Sequence, residues 1–268
     1  MNTSVKDIIK KWYKDLQFPE KFDEEFYAAL QETEIPENSS IETYPAETQD
    51  GKHKLLSYLY FCEQVKKSYE EKGIDAGILY DTLRDLVIWT EIWSDLEGTL
   101  CLHEQGWLRR HLAMKIFKLG RLQFSPGTAE MDIPHLGIAK GEPIMEIHIP
   151  AVGPMTPEAC RESLEKAKAF FAEFYPDYHY RCFTCHSWLM DTSLKELLNE
   201  DSNILQFQNM FEVLEEEPDD AILRYVFKWD TTREKLPQMT CSSGFAKRVK
   251  EQALQGREFH VSYGVMAK

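Results

Sequence analysis

The spacing of apolar residues along the chain changes near residue 113. Before that point apolar residues recur at helical spacing, as in residues 5–16, and this predicts amphipathic helices. Beyond it, apolar and polar residues alternate in short runs, as in residues 115–124, which is typical of strands with one buried face. The pattern predicts a helical N-terminal domain, residues 1–113, and a C-terminal domain of interleaved strands and helices, residues 114–268.

Further segments of the N-terminal domain share this helical spacing. They are residues 22–30, 54–71, 75–96 and 105–114. Gly73 follows the second of them, at the position where a helix commonly ends in a left-handed residue and where glycine is favoured. A polar link containing prolines, residues 35–50, separates the first two helices of the domain from the rest.

The C-terminal domain alternates between the two patterns. Strands are predicted at residues 115–124, 136–139, 144–149, 180–190, 211–214 and 259–266, and helices at residues 156–174, 193–199, 219–227 and 242–254. Ser125, Pro126 and Gly127 are turn residues and predict the end of the first strand. This order predicts an α/β (α+β) fold class. The acidic run at residues 215–217 is interpreted as a solvated loop, because contiguous charges are not spaced to converge on a metal ion.

A strand-to-helix turn is predicted at residues 150–155. Thr156 and Pro157 are typical of the N-cap and the first position of a helix. Free backbone N–H groups and the positive end of the helix dipole can bind an anion at such a turn. A plain capped turn also fits, since Gly153 is the only glycine there and Pro154 has no N–H to donate. The residues alone leave both interpretations open.

The net charge narrows the range of partners. The chain has 268 residues, a formal net charge of -14, and 43% hydrophobic residues, which is ordinary for a folded protein. The acidic balance argues against nucleic acids and anionic membranes. Basic residues still cluster locally, at Arg109, Arg110, Lys115, Lys118 and Arg121, so an anionic small molecule is compatible. The N-terminus lacks a signal-peptide apolar region and no apolar run could span a bilayer, which predicts a cytoplasmic protein.

One motif contains two closely spaced cysteines followed by a histidine. Cys182, Cys185 and His186 match the C-x-x-C-H pattern of covalent haem attachment. Haem loading needs an exported protein, a redox pair needs a helix N-terminus at the first cysteine, and zinc needs a second ligand pair at matching spacing. The sequence shows none of these features. We therefore expect reduced thiols packed in a strand, with neither haem nor metal.

Strand alternation sorts the candidate acids and bases by face. Glu146 and His148 share one face of their strand, and Thr184 and His186 share one face of theirs. Cys185 and His186 are adjacent and point to opposite faces, which argues against a cysteine–histidine dyad on a regular strand. If the two strands pair, the carboxylate and both imidazoles lie on one face and can perform acid–base chemistry.

Four segments give the chain a resemblance to a known bacterial family. They read GRLQF from Gly120, IHIPAVGPMTPEAC from Ile147, FTCHSWLMD from Phe183 and DSNILQFQ from Asp201. In these segments the chain resembles acyltransferase-domain proteins, which join a helical N-acyltransferase N-terminal domain to a GNAT-like C-terminal domain. The resemblance covers most of the chain. It implies a mixed sheet flanked by helices, and transfer of an acyl group from acyl-CoA to an amine.

The GNAT resemblance also implies where acyl-CoA binds, namely between two parallel strands that splay apart. Its pyrophosphate would sit on the turn after the first strand. The implied cofactor-binding residues are Ile149, Ala151, Val152, Gly153, Met155 and Thr156. The usual GNAT turn carries more glycine and a basic residue, and this chain departs from that pattern. The departure supports an alternative function, a catalytically inactive GNAT-shaped module that binds or senses a small ligand.

Acyl transfer to an amine needs a base for the amine, a hydrogen-bond donor for the oxyanion and an acid for the leaving thiolate. The expected base is His148, followed by His186 and then Glu146. A backbone N–H at Ile149 is the expected oxyanion donor, and Tyr225 the expected acid. The implied co-substrate is acyl-CoA, with an acetyl or longer chain, and the implied partner is a small-molecule amine acceptor.

Overall fold

The computed structural model describes residues 4–36, 39–41, 49–103 and 105–268. They form two compact units, which meet in sequence between Lys118 and Leu119. Of the predicted link, residues 37–38 and 42–48 lie outside the described residues. No helix among the described residues is long and apolar enough to cross a membrane.

The first unit is helical, as the sequence pattern predicts. Its helices are α1 (Val5–Asp15), α2 (Asp23–Glu32), α3 (Gly51–Lys72), α4 (Ala76–Leu83), α5 (Asp85–Glu97) and α6 (Gln105–Leu112). Gly73 ends α3 in the left-handed conformation, at φ 71°, which confirms its predicted role. The single helix predicted for residues 75–96 is wrong, because the chain forms two helices that meet at Arg84.

Two buried contacts hold the first unit together. The rings of Tyr13 and Phe26 stack with centroids 3.7 Å apart, joining α1 to α2. At the start of α5 the buried Asp85 carboxylate accepts a hydrogen bond from Trp107 Nε1 at 2.7 Å and lies 3.1 Å from His111 Nε2. Because Asp85 begins α5 and both partners lie on α6, these contacts fix the angle at which α6 packs.

The second unit is built on a six-stranded sheet. The strands are β1 (Phe117–Leu119), β2 (Leu122–Thr128), β3 (Pro143–His148), β4 (Cys182–Ser187), β5 (Glu212–Pro218) and β6 (His260–Ala267), and their order is β1-β2-β3-β4-β6-β5. The helices are α7 (Pro157–Phe174), α8 (Asn203–Gln208), α9 (Ala221–Val226) and α10 (Gly244–Leu254). β3 and β4 run parallel, whereas β2 with β3, β4 with β6 and β5 with β6 run antiparallel. The mixed α/β fold class is confirmed.

The predicted first strand is a hairpin instead. Gly120, at φ 81°, turns the chain between β1 and β2, and a side chain there would be strained. The predicted turn at Ser125, Pro126 and Gly127 is wrong, because all three residues belong to β2 and pair with β3. Gly127 has a different role, since a Cβ at this position would lie 2.6 Å from Oε1 of Glu146. The glycine makes room for a carboxylate.

The two faces of the sheet differ in what covers them. On one face Phe124 packs edge-on against Phe183, and Tyr180 continues this contact to Phe171 of α7. On the other face, loop residues after β2 cover the apolar residues near the amino ends of β3 and β4. That cluster contains Ala129, Ile133, Ile138, Ile144, Cys182, Tyr263 and Val265. The carboxyl halves of the same strands carry polar side chains on this face.

Two other predicted elements differ in detail. The strand predicted for residues 180–190 stops at Ser187, whose hydroxyl accepts a hydrogen bond from Leu189 N at 3.1 Å and begins a short 3₁₀ turn. The acidic run at residues 215–217 is part of the edge strand β5 rather than a loop. Charged side chains on an edge strand discourage pairing with a second sheet.

Candidate active site at the carboxyl ends of β3 and β4

The parallel strands β3 and β4 pair directly over only a short stretch, and their carboxyl ends lie beyond it. Their pairing joins Met145 to Phe183 and Glu146 to Thr184. The direct pairing of these two strands ends there, two residues before His148 and His186. No direct ladder therefore joins the carboxyl ends of the two strands, and the side chains of Glu146 and His148 beside this gap in the pairing are partly exposed.

A cluster of three polar side chains lies on β2 and β3 beside this gap. Ser125 Oγ is 2.6 Å from Glu146 Oε2 and 2.9 Å from His148 Nε2. The Glu146 and His148 side chains are 3.4 Å apart. Ser125 is directly opposite Glu146 in the antiparallel pair, which explains the contact. We call Ser125, Glu146 and His148 the polar cluster.

The polar cluster is suited to move a proton. A serine hydroxyl has one proton, so Ser125 can donate to the Glu146 carboxylate while it accepts from His148 Nε2. This arrangement fixes the ring orientation and places a carboxylate where it stabilises an imidazolium. Ser125 is buried, whereas the side chains of Glu146 and His148 keep 32% and 26% of their exposure. Both titratable groups can therefore meet a ligand from solvent.

His186 lies apart from the polar cluster. It is exposed on β4, and its ring centroid is 6.0 Å from that of Tyr263 on β6. The buried hydroxyl-bearing residue Thr184 precedes it on the same face. The sequence correctly assigned Glu146, His148 and His186 to one face, and of these three side chains Glu146 and His148 contact each other.

Tyr225 is on α9, and 49% of its surface is exposed. Its ring stacks on Trp188, at 6.0 Å, and meets Trp229 edge-on at 5.3 Å. Trp188 is the first residue after β4. This contact places Tyr225 on the carboxyl-end side of β4.

The turn between β3 and α7 has the predicted cap. Thr156 Oγ1 accepts a hydrogen bond from Ala159 N at 3.3 Å, and Pro157 occupies the first turn of the helix. Gly153 has a φ of 69°, and Val152 N donates to Pro150 O at 2.8 Å. These features confirm the capped turn. They also reduce the number of N–H groups that are available to an anion, and so weaken the other interpretation, an anion-binding turn.

A basic residue reaches this turn from outside it. Arg121, in the hairpin between β1 and β2, donates to three turn carbonyls: Pro150 at 3.1 Å, Gly153 at 3.3 Å and Pro154 at 3.2 Å. Burial lowers the pKa of its guanidinium from the ordinary value, although arginine stays charged at neutral pH. The sequence placed Arg121 in a general basic cluster and did not connect it with the turn.

The cysteines of the C-x-x-C-H motif are buried in β4. Burial raises the pKa of the Cys182 thiol to about 11 and that of the Cys185 thiol to about 12. Thiols with such values are protonated near neutral pH and are poor nucleophiles. The prediction of two thiols packed in a strand is confirmed. Among the described residues, no group of three or more His, Cys, Asp or Glu side chains is arranged to hold a metal ion.

Family comparisons cover almost the whole chain. The model of the GNAT-like C-terminal domain matches residues 116–266, and that of the N-acyltransferase N-terminal domain matches residues 6–114. The chain belongs to the family of proteins with a GNAT-like C-terminal domain, here preceded by the N-acyltransferase N-terminal domain. No curated protein sequence matches at a significant level.

Solved acyltransferase structures share the fold over both units. A complex with CoA and 10C-teicoplanin has a TM-score of 0.80 and 24% identity, over 96% of this chain and 87% of the other. A complex with decanoyl-CoA and teicoplanin has a TM-score of 0.79 and 24% identity over the same shares. A mutant acyltransferase with octanoyl-CoA has a TM-score of 0.77, 23% identity and the same shares. At these identities the likeness establishes the fold.

Proposed function

We propose that this protein is a GNAT-like N-acyltransferase that moves an acyl group from acyl-CoA to the amine of a small molecule. The observation that carries the proposal is the polar cluster beside the open carboxyl ends of β3 and β4. Family membership supports the reaction class. The octanoyl-CoA and decanoyl-CoA complexes of proteins with this fold support a donor with a medium-length acyl chain.

In this proposal the thioester enters the gap between β3 and β4. A backbone N–H near Ile149 stabilises the oxyanion, and the turn at residues 150–155 receives the pyrophosphate. Two of the proposed contact residues, Ala151 and Met155, contribute N–H donors. Val152 and Thr156 act by shaping the turn, because the Val152 N–H and the Thr156 hydroxyl already take part in hydrogen bonds within it. Gly153 allows the left-handed backbone that this shape needs.

The polar cluster supplies the base. As the amine nitrogen forms a bond to the thioester carbon, its proton passes to His148 and the C–S bond breaks. Glu146 stabilises the imidazolium, directly and through Ser125. The CoA thiolate takes a proton from solvent or from Tyr225, whose exposed ring lies on the carboxyl-end side of β4. His186, exposed and outside the cluster, is the second candidate for the base.

The proposal is tested by incubating the protein with acetyl-, octanoyl- or decanoyl-CoA and a panel of small amines. Free CoA thiol and N-acyl product are then measured. We expect His148→Gln to lower kcat/KM by about 10²- to 10⁴-fold, the usual range for a lost general base, while acyl-CoA still binds. His135→Gln is the matched control, because His135 also lies 3.4 Å from a glutamate, Glu212, outside the cluster.

Three outcomes would redirect this proposal. Full turnover by His148→Gln would remove His148 from the role of base and make His186→Gln the next variant to measure. Tight acyl-CoA binding by the wild-type protein without transfer to any amine would favour the inactive ligand-binding module. Loss of activity in His135→Gln to the same degree would show that the effect is not specific to the polar cluster.

A further inference from the structure

The guanidinium of Arg121 contacts three carbonyl oxygens of the turn at residues 150–155. Its bonds go to the carbonyls of Pro150, Gly153 and Pro154. In a trans peptide the carbonyl and the following N–H point in opposite directions. The N–H groups of Ala151 and Met155, which follow two of these carbonyls, therefore point away from Arg121.

The position of Arg121 is itself built into the fold. Gly120 turns the β1–β2 hairpin close to α7, where a Cβ would lie 3.4 Å from Ser163 Oγ. Ser163 Oγ accepts a hydrogen bond from Leu122 N at 2.9 Å and donates to the carbonyl of Leu119. Both residues that flank the hairpin turn are thus fixed to the helix that begins just after the residue 150–155 turn. Arg121 is presented to the turn by an element with little freedom to move.

We propose that Arg121 is a positioning residue that orients the turn at residues 150–155 so that its N–H groups receive the pyrophosphate of acyl-CoA. The inference rests on the proposed function and deepens it. It explains how a turn with one glycine and two prolines, Pro150 and Pro154, can still present donors to a phosphate. The positive charge that the usual motif places within the turn comes here from the preceding hairpin.

Arginine is needed for its shape as well as for its charge. The planar guanidinium carries five N–H donors in a fixed fork and reaches three carbonyls at once. The ammonium of a lysine is a compact group on a flexible stem and cannot bridge the same three acceptors. Arg121→Lys therefore keeps the charge and removes the orientation, whereas Arg121→Ala removes both.

The experiment compares two ligands that differ only in their phosphates and nucleotide. Octanoyl-CoA and S-octanoyl-pantetheine are titrated by calorimetry into the wild-type protein, Arg121→Ala and Arg121→Lys. We expect both variants to bind octanoyl-CoA at least about tenfold more weakly. Affinity for S-octanoyl-pantetheine should stay within about twofold, because that ligand has no pyrophosphate to place on the turn.

Arg181→Ala is the matched control. Arg181 also binds carbonyls, those of Leu136 at 3.2 Å and Gly137 at 2.6 Å, but it does so before β4 rather than after β3. The Arg181→Ala substitution should leave the affinities for octanoyl-CoA and S-octanoyl-pantetheine unchanged. Unchanged octanoyl-CoA affinity in Arg121→Lys, or an equal loss for both ligands in Arg121→Ala, would overturn the role of Arg121. A wild-type protein that binds neither ligand would overturn the proposed function as well.

Discussion

An arginine binds backbone carbonyls near each end of the parallel pair β3–β4, but the two arginines differ in their other hydrogen-bond partners. At the amino ends Arg181 binds two loop carbonyls and also the Glu142 carboxylate, at 3.0 Å. At the carboxyl ends Arg121 binds three turn carbonyls, and every one of its hydrogen bonds goes to a carbonyl. One arginine has its charge balanced by a protein carboxylate. The other has only carbonyl oxygens as its hydrogen-bond acceptors among the described residues.

The residues around these arginines follow the same division. At the amino ends the face of the sheet carries Ile144 and Cys182, both covered by the loop after β2. At the carboxyl ends the same face carries Glu146 and His148, both partly exposed. Under the proposed function, the sheet serves stability at its amino ends and chemistry at its carboxyl ends. Substitutions at the amino ends should therefore affect unfolding, and those at the carboxyl ends should affect binding or turnover.

The largest effect on stability is expected from Tyr178→Phe at the amino ends. The Tyr178 hydroxyl accepts from Gly127 N at 2.9 Å and lies within hydrogen-bond distance of two carbonyls, Gly127 at 2.7 Å and Ile144 at 2.6 Å. Removing it leaves partly buried backbone groups without this partner, at a cost of about 1–3 kcal/mol. Denaturant unfolding measures this change in free energy.

Tyr180→Phe is the control for that measurement. The rings of Tyr178 and Tyr180 lie 6.1 Å apart, but the Tyr180 hydroxyl is buried without a hydrogen-bond partner among the described residues. Its removal should be neutral or stabilising, because an unsatisfied buried group is lost. Equal destabilisation by both substitutions would show that the amino ends are not held by the Tyr178 hydrogen bonds.

A smaller effect, on turnover instead of stability, is expected from Ser125→Ala at the carboxyl ends. Without the hydroxyl, His148 loses one hydrogen bond to its Nε2, while the Glu146 carboxylate remains nearby. We expect kcat to fall about tenfold, or about 1.4 kcal/mol in transition-state stabilisation, with KM for acyl-CoA unchanged. Steady-state kinetics separate the two parameters. A rise in KM alone would assign Ser125 to binding and remove it from the proton-transferring cluster.

Local sequence signals predicted two helix ends well. Thr156 and Pro157 mark the start of α7, and Gly73 marks the end of α3, because caps depend on a few adjacent residues. Alternation along one strand likewise placed Glu146 and His148 on a common face. These features need no knowledge of which strands are neighbours.

Contacts between distant segments were missed for a physical reason. The turn was predicted at Ser125, Pro126 and Gly127, where turn residues are concentrated, whereas Gly120 carries the hairpin. That displacement removed Ser125 from the strand and hid its place opposite Glu146. Gly127 is in the strand because the Glu146 carboxylate occupies the space of a side chain, and a single sequence cannot show this. Because the hairpin was not predicted, the contact of Arg121 with the turn at residues 150–155 was also missed.

The cysteine thiols of β4 should react slowly, and this expectation can be measured without changing stability or turnover. Cys182 lies at the amino end of β4 and Cys185 lies just beyond the last residue paired with β3. Both are buried, and burial raises their thiol pKa values to about 11 and about 12, whereas Cys241 is exposed. Because the thiolate is the reactive form, iodoacetamide at pH 7.5 should modify Cys241 far faster than either cysteine of β4.

Peptide mass spectrometry of the native protein identifies the modified cysteine, and Cys241→Ser should remove the fast modification. The informative comparison is between Cys182 and Cys185, since both point into covered faces of the sheet. Modification of Cys185 at a rate near that of Cys241, with Cys182 still protected, would contradict a closed core beneath the gap. It would mean that the opening between β3 and β4 reaches through the sheet, and that the carboxyl ends open further than the strand pairing indicates.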